Sequence, residues 1–161
     1  WQKILQEMKL EVTNMPCDVS TQWNSTFDML EYVLNHCEVV NSVTQDCALG
    51  LRKFELDDSQ WVLLEQLHDM LKILKDAILY FSHSTPNLAT VIPAMDLIDK
   101  KLTTYSLNCK YSPTICAAVG LAKQTLNKYY QLTDKSKVYR MAMGKCLSMY
   151  FATRKCTNRH L

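Results

Sequence analysis

The residues of this 161-residue chain that could hold a metal or move a proton are its acidic pairs, its 4 histidines and its 7 cysteines. Asp57 and Asp58 are adjacent, but they precede a segment of helical periodicity, where a carboxylate caps a helix rather than binding an ion. Asp96 and Asp99 share one helical side beside Lys100 and Lys101, which reads as a charged surface. Cys156 and His160 form half of a zinc-type pair; a tetrahedral site would need the distant Cys146 or Cys109. His36 and His68 fall in helical segments, and His83 and His160 in or near loops. The sequence contains no Gly-rich phosphate loop, no His-Glu-x-x-His and no Gly-x-Ser-x-Gly. Catalytic residues, metal ligands and a bound cofactor are therefore not expected.

Trp23 carries more information. It lies in the polar stretch Asp18-Val19-Ser20-Thr21-Gln22-Trp23-Asn24-Ser25-Thr26, immediately before the first long apolar-periodic segment. One reading packs the indole beside Phe27 as a staple at the entry of a helix. The other stacks it on an unpaired base, with Thr21 or Asn24 approaching the nucleic-acid backbone. The residues by themselves favour packing.

Those side chains need a helical scaffold. With only 3 Gly and 4 Pro, long stretches lack helix breakers. Trp1, Ile4, Leu5 and Met8 give a short periodic segment, followed by a polar connector through Pro16. Ser25 is placed to cap the next helix, with Asp28 as its first-turn partner, and Phe27, Leu30, Val33, Leu34, Cys37 and Val40 form that helix's stripe. After a mixed interval broken at Gly50, Asp58 or Ser59 can cap a long helix with Trp61, Leu64, Leu67, Leu71, Leu74, Ile78 and Phe81 on its apolar face. Ser82 to Asn87 makes a turn, Pro93 opens another helix packed through Leu97, Ile98 and Leu102, and a connector follows through Asn108, Lys110 and Ser112. Ser112-Pro113 then fits an N-cap and first helical residue, ahead of Ile115, Val119, Ala122, Leu126 and Tyr129. A last helix is expected over Val138 to Met149, ahead of a basic, frayed end.

Charge is uneven along this scaffold. Residues 1–90 hold 6 basic and 13 acidic side chains, whereas residues 91–161 hold 12 and 3. The second part is thus suited to a polyanion or an acidic partner. No run of about 18 or more apolar residues occurs, so no membrane partner is expected. An odd cysteine count without a Cys-x-x-Cys pair reads as a reduced, intracellular chain. Trp rather than Met at position 1 reads as a fragment whose start lies upstream.

The stretch Asp18 to Thr26 resembles the Asp-Val-x-Thr-Arg-Trp-Asn-Ser-Thr motif of hAT-superfamily DNA transposases, and Met29-Leu30 follows at the family's distance. Trp61 with Leu64 and Leu67, Ser84-Thr85-Pro86 through Val91-Ile92-Pro93, Tyr129-Tyr130 and Val138 to Met143 extend the similarity, more softly, over most of residues 15–143. In that family an all-helical insertion interrupts an RNase H-like catalytic domain, so the resemblance implies insertion-domain architecture. The family's acidic catalytic cluster flanks the insertion, and none of it maps onto this chain; Asp18 belongs to the motif and not to that cluster. The family tryptophan matched by Trp23 stacks on a flipped base and supports the hairpin step, which reverses the preference for packing. Gln22 stands where the family has Arg and so lacks its permanent charge toward phosphate. After Ala142-Met143 the family pattern is lost.

The combined expectation is an all-α, irregular antiparallel multi-helix bundle. Residues 1–15 are read as an upstream helix and connector, 16–143 as the transposase-like helical insertion domain, and 144–161 as a divergent basic tail. Its function is read as nonenzymatic, with Thr21, Gln22, Trp23 and Asn24 as DNA-contact candidates and Lys123, Lys128, Lys137 and Arg140 as candidate phosphate contacts. A divalent metal belongs only to a complete catalytic core elsewhere. Expected partners are DNA, especially hairpin or unpaired ends, a second copy, or the missing transposase core. The nucleus is the expected location for such a DNA binder, and an intracellular one otherwise. The alternative is a structural or protein-interaction bundle in which Trp23 is packed and no nucleic acid binds.

Overall fold

The computed structural model describes residues 1–83, 88–108, 110–142 and 144, and at Trp23, His83 and Asp134 the backbone alone. Among the described residues all regular structure is helical, apart from one isolated antiparallel bridge between Val19 and Gln22. In chain order the helices are α1 (Gln2–Glu7), α2 (Trp23–Asn35), α3 (Cys37–Gln45), α4 (Asp58–His83), α5 (Val91–Ser106) and α6 (Pro113–Lys135). Short 3-10 turns occupy Cys47–Leu49, Arg52–Phe54 and Leu88–Thr90, and residues 137–142 are again helical. The all-α expectation is met. The chain divides into two compact units, Trp1–Lys75 and Asp76–Leu161.

In the first unit, α1 ends in a Schellman motif: Leu10 N–H donates to Leu5 O at 2.9 Å and Lys9 N–H to Gln6 O at 3.0 Å. The left-handed position of that motif is filled by Lys9 at φ 59°, where glycine is the unstrained residue. The Trp1 indole N–H is shared between Thr13 O at 3.2 Å and Tyr32 Oη at 3.3 Å, which ties the N-terminal segment to α2. Leu5, Phe27, Leu30, Val39, Met70 and Ile73 are buried. Each contributes on the order of 1.5–3 kcal/mol before ordering costs.

The apolar stripe expected to run unbroken from Phe27 to Val40 is interrupted at His36, which has φ −124° and ψ 30° and separates α2 from α3. Its Nδ1 donates to Tyr32 O at 2.8 Å while its ring stacks on Tyr32 with centroids 4.1 Å apart. The break therefore satisfies one of the carbonyls that a helix end leaves open. No Gly or Pro marks it, so periodicity alone could not locate it.

Helix α4 runs antiparallel to α2 and α3, as the pairs Asp28–Lys75, Glu31–His68 and Asn41–Trp61 show. Its cap is Asp57, one residue earlier than expected: Asp57 Oδ1 accepts from Gln60 N–H at 2.8 Å and from Ser59 Oγ, and Gln60 Oε1 accepts from Asp57 N–H at 3.0 Å. This is a reciprocal capping box. The expected apolar face is rotated by about one residue. Gln66, Met70 and Ile73 are the buried positions, Leu64, Leu67, Leu71 and Leu74 are half-buried, and Ile78 is exposed.

In the second unit, α5 and α6 form an antiparallel hairpin, fixed by Tyr105 against Tyr111, Thr103 against Lys123, and Asp96 against Tyr130. Ser112 caps α6 as expected, its Oγ accepting from Ile115 N–H at 3.3 Å with Pro113 at the first helical position. Leu102, Tyr111, Ile115 and Val119 are buried. Leu97 and Tyr129, expected to pack, are exposed, as is Ala122; Tyr130 occupies the inward position in place of Tyr129. Apart from residue 144, the remainder of the expected last helix and the basic tail lie outside the described residues.

Candidate nucleic-acid interface

The motif around Trp23 folds into a turn held by its own side chains. Gln22 N–H donates to Val19 O at 2.7 Å, closing the bridge. Ser25 Oγ accepts from Val19 N–H at 2.7 Å, and its one proton is shared between Gln22 O, 2.6 Å away, and Asp18 Oδ1, 3.0 Å away. Thr26 Oγ1 donates to the same Asp18 oxygen at 2.8 Å. Asp18, Ser25 and Thr26 are thus the lock of the turn. The expectation of Ser25 as N-cap with Asp28 as its partner is not met. Gln22 is the N-cap and makes no side-chain cap bond, Ser25 lies in the first turn, and Asp28 pairs with Lys75.

Trp23 is the first residue of α2, rather than a residue preceding the helix. Its backbone therefore sits at the helix N-terminus, next to a lock whose Asp18 carboxylate matches the positive end of the helix dipole. The indole lies outside the described side chains, so neither packing nor stacking of that ring is at issue in the geometry. Thr21 and Gln22 are exposed on the turn. Asn24 is half-buried and its Oδ1 is buried without a hydrogen-bond partner, which orients that oxygen into the protein rather than toward a solvent-borne ligand.

Helix α2 is held on α4 directly below this turn. Phe27 is sandwiched between the His68 ring, stacked with centroids 4.8 Å apart, and the Lys75 ammonium, 5.6 Å from its centroid. Lys75 also donates to Asp28 Oδ1 at 2.9 Å. These contacts fix where α2 begins, and with it where the backbone of Trp23 stands.

The four candidate phosphate contacts belong to the second unit. Lys123 is half-buried; its Nζ donates to Thr103 Oγ1 at 2.5 Å and lies 3.7 Å from Asp99 Oδ1, so it tethers α6 to α5. Lys128 on α6, and Lys137 and Arg140 beyond it, are exposed.

Among the remaining acidic candidates, Asp57 and Asp96 have structural partners. Asp57 caps α4, and the hydroxyl of Ser59 followed by the Gln60 amide holds its carboxyl below the ordinary carboxylate value. Asp96 accepts from Tyr130 Oη at 3.0 Å. Cys109, Cys146, Cys156 and His160 lie outside the described residues, as does the His83 side chain. Among the described residues, no three His, Cys, Asp or Glu side chains gather as a metal site. No described helix is long and apolar enough to cross a membrane.

No curated protein and no solved structure matches the chain. Residues 1–70 match the family model of the ZBED1 RNase-like helical domain. That span holds α1 to α3, the start of α4 and the locked turn, and it supports an hAT-related, transposon-derived origin for this part of the chain.

Proposed function

We propose that the chain is a nonenzymatic, transposase-derived helical module that contacts hairpin or unpaired DNA ends through Trp23. The observation that carries this reading is the locked turn from Asp18 to Thr26, which leaves Thr21 and Gln22 exposed and sets Trp23 at the first position of α2. A tryptophan held on a rigid, polar turn offers a base-stacking surface at small entropic cost, and such a contact is worth about 1–3 kcal/mol per base. Exposed Lys128, Lys137 and Arg140 add diffuse attraction for phosphate. A nuclear location follows from this role.

The alternative is a protein-interaction bundle, and a specific observation favours it: residues 1–75, which carry the turn, hold 6 basic and 12 acidic side chains. A polyanion is repelled by that balance unless a base-specific contact overcomes it.

The deciding experiment is fluorescence anisotropy of labelled single-stranded, duplex and hairpin DNA with the parent and Trp23→Ala. The expected result is selective loss of hairpin binding, about 5-fold to 150-fold, which is the affinity equivalent of one stacking contact. Equal binding by both proteins overturns the role given to Trp23, and binding of none of the three DNAs by either protein leaves the interaction bundle. Gln22→Arg is expected to raise hairpin affinity in a salt-sensitive manner; an unchanged affinity counts against phosphate running beside this turn.

A further inference from the structure

Helix α6 is apolar on two sides. Ile115 and Val119 are buried on one, while Leu121 and Leu132 stand 65% and 59% exposed on the other. Leu132 is flanked on its stripe by Lys128 and Lys135, giving a base–apolar–base triplet at spacings of four and three residues. On α4, Asp58, Val62 and Glu65 repeat the same spacing as an acid–apolar–acid triplet, with Val62 50% exposed. All six residues are exposed. Residues at this spacing share one helical face, and the outer members of each triplet are about 10 Å apart along the axis.

We propose that these two triplets dock on each other between copies of the chain, the α6 triplet of one copy on the α4 triplet of the next. Pairing α6 with α6 would set Lys128 and Lys135 against their own copies with no carboxylate in the triplet, a like-charge contact. Pairing α6 with α4 brings Leu132 onto Val62 and each lysine to a carboxylate. Exposed ion pairs add little affinity, so the apolar contact and the stems of the lysines hold the interface while the charges select its partner and register. Because the two surfaces differ, a docked pair keeps one of each free, and association continues past the dimer unless it closes into a ring. Lys128 also belongs to the DNA reading, but the docking rests on the two triplets and not on Trp23.

The test is sedimentation equilibrium of the full chain under reducing conditions, loaded from about 10 to about 300 μM, the range of weak contacts. The weight-average mass is expected to rise with concentration and to fall with added salt. Lys128→Glu with Lys135→Glu, and separately Asp58→Lys with Glu65→Lys, should each remain monomeric, and an equimolar mixture of the two should associate again. Glu65→Lys alone, at a mid-helix position, serves as the second α4 variant should the pair disturb the helix start, with circular dichroism reporting the fold. A parent that stays monomeric throughout overturns the proposal, as does association that survives charge reversal. Should the reversed α6 variant lose binding to duplex DNA or to phosphatidylserine vesicles while parent mass stays flat, the face serves that ligand and the proposal fails.

Discussion

The Lys75 ammonium donates to Asp28 Oδ1 at 2.9 Å, tying the middle of α4 to the second turn of α2. The same ammonium stands over Phe27, so one cation serves two residues of α2. The Lys75 side chain is 22% exposed and that of Asp28 46%, which places the pair between a surface and a buried ion pair.

A double-mutant cycle on Lys75→Met and Asp28→Asn should give a coupling of about 0.5–1 kcal/mol by urea denaturation. Lys75→Met should cost more than Asp28→Asn, since it also removes the cation from the Phe27 face, a contact worth about 0.5–1 kcal/mol at exposed sites. Equal single-mutant costs would show that the ring contact adds nothing.

Asp18→Ala removes the acceptor shared by Ser25 and Thr26, and should lower stability by about 1 kcal/mol. If the turn positions Trp23 for DNA, hairpin affinity should fall with it. Asp18→Asn keeps an acceptor oxygen and should retain both properties. Loss of hairpin binding in Asp18→Asn as well would mean that the charge, and not the lock, matters.

Lys9 occupies the left-handed position that closes α1, at φ 59°. Lys9→Gly should relieve strain and stabilise the chain by about 1 kcal/mol, less the added freedom of glycine in the unfolded state. The readout is the thermal midpoint; an unchanged or lower midpoint would show that the side chain of Lys9 contributes more than its backbone costs.

The Asp57 carboxyl titrates below its ordinary value of 3.8 because the Ser59 hydroxyl and then the Gln60 amide stabilise the carboxylate. A depressed folded value means that the stabilisation is complete above the ordinary carboxylate range and is lost as pH falls through the folded value. Asp57→Ala should therefore lower stability at neutral pH and flatten the acid limb of the pH–stability profile, measured by denaturation from pH near 6 down to about 3. An acid limb identical to the parent's would remove Asp57 from that role.

Much of the fold was legible because the signals were local. Ser112-Pro113 announced the start of α6, Gly50 took the left-handed conformation that ends the first 3-10 turn of its interval, and the long apolar period of α4 gave its extent. Part of what escaped was decided by partners distant in sequence. Periodicity shows that a helix has an apolar side, but overlapping stripes exist on both α4 and α6, and only the neighbouring helix selects Met70 and Ile73 over Leu71 and Ile78, or Tyr130 over Tyr129. The break at His36 rests on an imidazole bonded to Tyr32 O, a feature with no breaker residue to signal it. At the candidate interface the polar residues were recognised as a group, yet their division of labour was not. Ser before an apolar run reads as a cap; the bond from Thr26 to Asp18, eight residues back, shows instead that the polar groups close the turn onto itself.

The one-residue joint at His36 bears on how a disturbance at the turn would travel. Helix α2 is registered on α4 through Phe27, Asp28 and Lys75, and α3 through the separate bond from Trp61 Nε1 to Asn41 Oδ1. A single non-helical residue lies between these two clamps, so a displacement where α2 begins would reach α4 directly through Lys75, and α3 only across that joint or along α4 through Trp61. Occupancy of the turn would then register first as altered amide exchange in α4 around Lys75, with α3 around Asn41 nearer its resting rate.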